Sequence, residues 1–112
     1  MSGKKSRDKG ARRERELVHA YMDITGVFAE RVPLSGAMGT YKGDLALKIG
    51  PLDWIAEVKS RANGFKQIYN WLGQNDLLHI KADHQEHLVV IPWRHWKNIC
   101  KTLGTVRYES EI

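Results

Sequence analysis

Apolar and polar positions alternate along this chain with two different periods, and the change of period marks its elements. Leu17, Val18, Tyr21 and Ile24 follow a three-and-four spacing, which predicts an amphipathic helix from about Arg7 to Thr25, closed by Gly26. A strand is predicted over Val27–Val32. The stretch PLSGAMGTYKG that follows carries Gly36, Gly39 and Gly43, the composition of a mobile loop. Strands over Asp44–Ile49 and Leu52–Lys59 are joined by Gly50 and Pro51, which predicts a hairpin. In the second of these, Leu52, Trp54, Ala56 and Val58 alternate with Asp53, Ile55, Glu57 and Lys59.

Farther on, FKQIYNWLG reads as a short helix with Ile68 and Leu72 four apart, and LLHIKA alternates as a strand. Continuing the helix through His79 is the alternative, and Gly73 and Asn75 argue against it. After a DHQE turn, HLVVIP is an apolar run suited to a strand buried on both faces. WRHWKNICKTL, starting behind Pro92, makes a closing helix. The order α-β-β-β-α-β-β-α predicts an α/β domain in which helices pack on one mixed five-stranded sheet.

The chain has 112 residues, enough for one domain over residues 7–112 behind a disordered basic arm at residues 1–6. No apolar run approaches the roughly 20 residues that span a bilayer, and the basic N-terminus has no apolar stretch behind it. With a single cysteine, Cys100, no intramolecular disulfide is expected, which fits a reducing cytoplasm. Its apolar surroundings make it a small buried hydrophobe rather than a nucleophile. Charge changes the picture more. Residues 1–15 hold seven Lys and Arg against Asp8 and Glu14, which accounts for the whole net charge of +5, and the remainder is balanced. A basic arm on a neutral body suits a polyanion such as nucleic acid, with a solubilising tail as the equal alternative.

The chemistry concentrates in DLALKIGPLDWIAEVKSR, residues 44–61. Folding this hairpin about residues 50 and 51 brings Asp44 close to Glu57, with Lys59 on the same strand face as Glu57. Two carboxylates converging at a strand end make an oxygen-rich site for a hard divalent cation. A lysine beside them can stabilise charge on a phosphate. An exposed Glu57–Lys59 ion pair, contributing about 0–1 kcal/mol, explains the same residues without chemistry. Glu14 adds weight to the site, because it lies on the apolar stripe of the first helix, where a carboxylate needs a partner. That partner is either a metal site at the sheet edge or an arginine such as Arg31. His79, His84 and His87 cluster in sequence, but without cysteines at suitable spacing they do not make a convincing zinc site.

Taken in order, KGARRERELV, RVPLSG, GDLAL and IAEVKSR resemble the archaeal-type Holliday-junction resolvases and their phage relatives, within the PD-(D/E)xK, restriction-endonuclease-like nucleases. The resemblance covers most of residues 8 to about 92. It implies a restriction-endonuclease-like sheet and a Mg²⁺-dependent endonuclease, with Mn²⁺ as a substitute and no small-molecule cofactor. It implies Asp44, Glu57 and the Val58 carbonyl as metal ligands, Glu14 as a supporting acid, Lys59 as the catalytic lysine, and Ser35 as the loop serine that approaches the scissile DNA. Basic residues placed to hold DNA are Lys9, Arg12, Arg13, Arg31, Lys42 and Arg61. Gly43 stands where the superfamily pattern has its proline. Family members are homodimers that nick opposing strands of a four-way junction, so Trp93 and Trp96 become candidates for a dimer surface. The expected setting is cytoplasmic, a host's cytoplasm if the chain is phage-encoded. Three other readings stay open: a nuclease of this fold acting on flaps, nicks or duplex ends, a non-catalytic DNA-binding module, and a structural or assembly protein.

Overall fold

A computed structural model describes residues 2–32 and 44–110, with side chains for residues 9–32 and 44–106. The glycine loop, and with it Ser35, Tyr41 and Lys42, lies outside the described residues. The elements are α1 (Ser2–Met22), β1 (Val27–Arg31), β2 (Leu45–Ile49), β3 (Leu52–Ala56), α2 (Lys66–Leu72), β4 (Leu78–Ile80), β5 (Leu88–Val90) and α3 (Trp93–Ser110). This is a mixed α/β chain in the order that the periodicity predicts. The helix α1 begins ahead of the predicted start at Arg7. Lysine and arginine are good helix formers, and no proline interrupts them.

The five strands do not pair as one mixed sheet among the described residues. β1, β2 and β3 form an antiparallel sheet in that order, and β4 pairs antiparallel with β5 in a two-stranded sheet of its own. The chain divides correspondingly into two compact units, one holding the chain up to Ser60 together with residues from Ile99 onward, the other Arg61–Asn98.

In the first unit the register decides what is buried. Val27 pairs with Ile49 and Ala29 with Leu47, and directly paired residues face the same side. Those four, Leu45, and Tyr21, Ile24 and Cys100 are the buried apolar side chains among the described residues. Tyr21 closes α1, whereas Ile24 falls in the turn past its end at Met22, where its amide donates to the Tyr21 carbonyl at 3.0 Å. On the other sheet face Phe28, Lys48 and Asp53 form one exposed cross-strand row. The Ala29 amide, off the β1–β2 ladder, donates to Met22 Sδ at 3.3 Å.

Three glycines let α3 meet the turns of this unit backbone to backbone. Gly26 and Gly50 have φ of +84° and +57°, conformations that side chains rarely adopt. The Gly50 amide donates to the Gly26 carbonyl at 3.2 Å. A Cβ on Gly104 would collide with the Thr25 carbonyl oxygen, and one on Gly50 with that of Leu103. The continuation of α3 past the predicted stop at Leu103 is thus tied to the Gly50–Pro51 hairpin turn.

In the second unit, α2 ends at Gly73, whose φ is +53°. Ile68 and Leu72 are half-buried while Gln67, Tyr69 and Trp71 are exposed. The apolar run in β5 is not buried on both faces as its composition predicts. Leu88 and Val89 are 57% and 54% exposed, because β5 pairs with β4 alone among the described residues. Asp76 Oδ1 lies 2.8 Å from His95 Nε2, joining the loop after α2 to the first turns of α3. Of the two tryptophans proposed for a dimer surface, Trp93 is 38% exposed and Trp96 half-buried.

Substituting Gly104 with alanine should lower the unfolding free energy by about 1–3 kcal/mol, since crowding outweighs alanine's helix preference. Gly10→Ala, with nothing within 4 Å of the new methyl, should be neutral or slightly stabilising. Urea denaturation of the two variants checks this contrast. Burial raises the Cys100 thiol above its ordinary pKa. In the folded protein Cys100 should therefore react with a thiol reagent only as fast as the unit opens, which a reaction time course followed with increasing urea reads directly.

Candidate functional site

Asp44 builds the end of the three-stranded sheet. Its carbonyl accepts from the Val32 amide at 2.9 Å, extending the β1–β2 ladder by one rung. On the β3 side the ladder pairs Leu45 with Ala56, so regular continuation would set Asp44 against Glu57. Instead the Asp44 amide donates to the carbonyl of Ala56 at 2.8 Å, one residue short. That offset is the bonding pattern of a β-bulge, which ends regular pairing and re-aims a side chain. The carboxylate uses the freedom: Asp44 Oδ2 accepts from the Val58 amide at 2.7 Å. Asp44 therefore brackets Glu57, with its backbone on the residue before and its side chain on the residue after.

The same bonds correct the expected extent of the strand. β3 stops at Ala56, so Glu57 and Lys59 lie beyond it rather than closing it. Val58 gives its amide to a side chain, and simple alternation no longer dictates which way Glu57 and Lys59 point. Both are exposed.

Glu14 sits on α1 with 19% of its side chain exposed, and Arg31 Nε donates to Glu14 Oε1 at 2.9 Å. Of the two partners the sequence allows, the structure shows the arginine. Arg31 is the β1 residue opposite Leu45, one rung from Asp44, so this ion pair stands at the same end of the sheet as the Asp44 bracket. Glu14 is not gathered with Asp44 and Glu57: among the described residues there is no group of three or more His, Cys, Asp or Glu able to hold a metal ion.

The donor set nonetheless suits Mg²⁺. Asp44 spends one carboxylate oxygen on Val58, Glu57 presents an exposed carboxylate, and the other Asp44 oxygen and the Val58 carbonyl have no hydrogen bond among the described residues. All are hard oxygen donors, and Mg²⁺ is commonly bound by one or two carboxylates with waters completing the shell.

The remaining residues expected to hold DNA fall in different places. On α1, Arg12 is exposed, Lys9 and Arg13 are half-buried, and Arg13 is paired with Glu16 at 3.0 Å. Arg61 is exposed in the second unit. Ser35 and Lys42 lie outside the described residues. The bulge was not legible in the hairpin's alternation; the carboxylate at its first position, Asp44, was the available signal. His79 and His87 meet edge to face with ring centroids 6.1 Å apart, a contact between β4 and the residue before β5.

Asp44→Ala leaves the half-buried Val58 amide without its acceptor and should cost about 1–3 kcal/mol. Asp44→Asn keeps an oxygen there and should cost less. Hydrogen exchange at the Val58 amide, accelerated most in the alanine variant, reads the effect directly. As to relatives, no protein-family model, no curated protein and no solved structure matches the chain.

Proposed function

We propose that this protein is a Mg²⁺-dependent DNA endonuclease that hydrolyses phosphodiesters in branched DNA, a Holliday-junction resolvase working as a homodimer. The observation that carries the reading is the bracketing of Glu57 by Asp44 at the end of the sheet, one rung from Arg31 and two residues before Lys59. The element order agrees with the restriction-endonuclease-like arrangement, whose five-stranded sheet belongs to this proposal.

In this mechanism Asp44 and Glu57, with the Val58 carbonyl, hold the cation. Bound there, Mg²⁺ or Mn²⁺ supplies an acidified water and neutralises phosphate charge. Lys59 stands beside the scissile phosphate and stabilises the charge that develops on it. Arg12, Lys9 and Arg13 on α1, with Arg31, Arg61 and Lys42, grip the phosphate backbone, and the loop residue Ser35 approaches the scissile DNA. Affinity should therefore fall with salt. No element resembles a base-reading helix, so shape rather than sequence guides recognition. A two-fold dimer would match a two-fold junction. Phe28 and Ile55, apolar side chains left exposed on the three-stranded sheet, are candidates for its interface. No described helix is long and apolar enough to cross a membrane.

One observation favours a second reading. Glu14 is engaged by Arg31 rather than by the acid pair, which suits a DNA-binding module that keeps the fold without catalysis. The two are separated by incubating a labelled four-way junction, a flap and a linear duplex with the protein, in Mg²⁺ and in EDTA. Paired symmetric nicks in the junction alone, abolished by EDTA and by Glu57→Ala, are expected. Lys59→Ala should slow cleavage by about a hundredfold or more while leaving junction binding nearly unchanged. Cleavage of all three substrates would mean a nuclease of broader range, and junction binding without cleavage would leave the binding module.

A further inference from the structure

Glu14 and Arg31 were expected at a nuclease centre for separate reasons, the first as a supporting acid and the second as a phosphate contact. The structure has them bonded to each other at 2.9 Å, one rung from Asp44. While that bond lasts, neither performs its expected task fully.

We infer that the Glu14–Arg31 ion pair is an exchangeable latch: Glu14 trades Arg31 for the water shell of a divalent cation taken up at Asp44 and Glu57, and Arg31 is thereby released to a DNA phosphate. The inference rests on the nuclease reading of this end of the sheet and adds the order in which the centre becomes competent. Cation uptake comes first, and the grip of Arg31 on the phosphate follows.

Three features make the exchange physically reasonable. The bond is single. Arg31 commits only Nε, and its terminal nitrogens make no hydrogen bond among the described residues. Those nitrogens form part of the planar fork that engages phosphate oxygens in pairs. The pair can be reached from the Arg31 side, where the side chain is 39% exposed against 19% for Glu14, and part-exposed ion pairs are weak enough to trade partners. Charge favours the same sequence. Glu14, Asp44 and Glu57 against Arg31 and Lys59 leave one net negative charge. A dication turns that into one net positive charge, and a phosphodiester cancels it. Arg31 is thus better spent on Glu14 before the cation arrives and on the phosphate afterwards. A permanent structural salt bridge would behave otherwise, since cation uptake would leave it in place.

The wild-type chain itself tests this. In ¹⁵N-labelled protein, the Arg31 Nε–Hε signal reports the bond to Glu14, and the Val58 backbone amide reports the Asp44 carboxylate. Titration with MgCl₂ should move both signals along the same saturation curve, and EDTA should restore them. A Val58 amide that shifts while the Arg31 signal stays fixed overturns the latch and leaves the nuclease reading standing. A Val58 amide that never responds to Mg²⁺ overturns both. Calorimetry adds a second readout. Arg31→Gln, with folding verified from its amide spectrum, should bind Mg²⁺ about two- to fivefold more tightly, the scale of one part-exposed ion pair. Unchanged or weaker binding overturns the latch.

Discussion

The hydrogen bond from the Val58 amide to the Asp44 carboxylate is the contact on which the candidate site depends. A carboxylate accepting a backbone N–H at 2.7 Å is a charge-assisted bond, stronger than an ordinary ladder rung. It replaces the rung that regular pairing would have formed, and with it the strand ends at Ala56 rather than Lys59. Beyond that point the backbone is free of the ladder, and the Glu57 and Lys59 side chains are exposed. The sheet's regularity stops at the candidate site.

The scaffold behind that end is small. Among the described residues its buried side chains come from one face of β1 and β2, from Tyr21 of α1 and Ile24 in the turn after it, and from one cysteine of α3. Close backbone contact compensates for the limited side-chain volume. Gly26, Gly50 and Gly104 bring the turn after α1, the hairpin turn and α3 together at distances no side chain would permit. The hairpin is thereby anchored at its turn, while its open end, across the length of β2 and β3, carries Asp44 and Glu57. One end of the hairpin is fixed by packing, and the other is left to polar bonds.

The ion pair between Glu14 and Arg31 belongs to both roles. It joins α1 to the edge of β1 across the outer limit of the core, which is a structural task. It also occupies two groups that a phosphodiesterase centre would use. A part-buried carboxylate must have a partner, and Arg31 meets that need with one nitrogen. The remaining donors of the guanidinium are what separate this arrangement from an ordinary closed salt bridge.

The sequence by itself determined the order of elements, the hairpin about Gly50 and Pro51, the burial of Cys100, and the nearness of Asp44 to Glu57. These follow from local periodicity, turn chemistry and simple counting along a two-residue turn. It also narrowed the partner of Glu14 to two choices, because a carboxylate on an apolar stripe cannot stay alone. Only the tertiary structure chose Arg31, since the choice depends on which β1 residue α1 happens to cover. The early end of β3 was likewise invisible: alternation continues through Lys59, and nothing in it tells that a side chain will outbid a strand for the Val58 amide. The exposure of Leu88 and Val89 has the same origin. An apolar run shows what could be buried, whereas pairing decides what is, and here β5 pairs with β4 alone among the described residues.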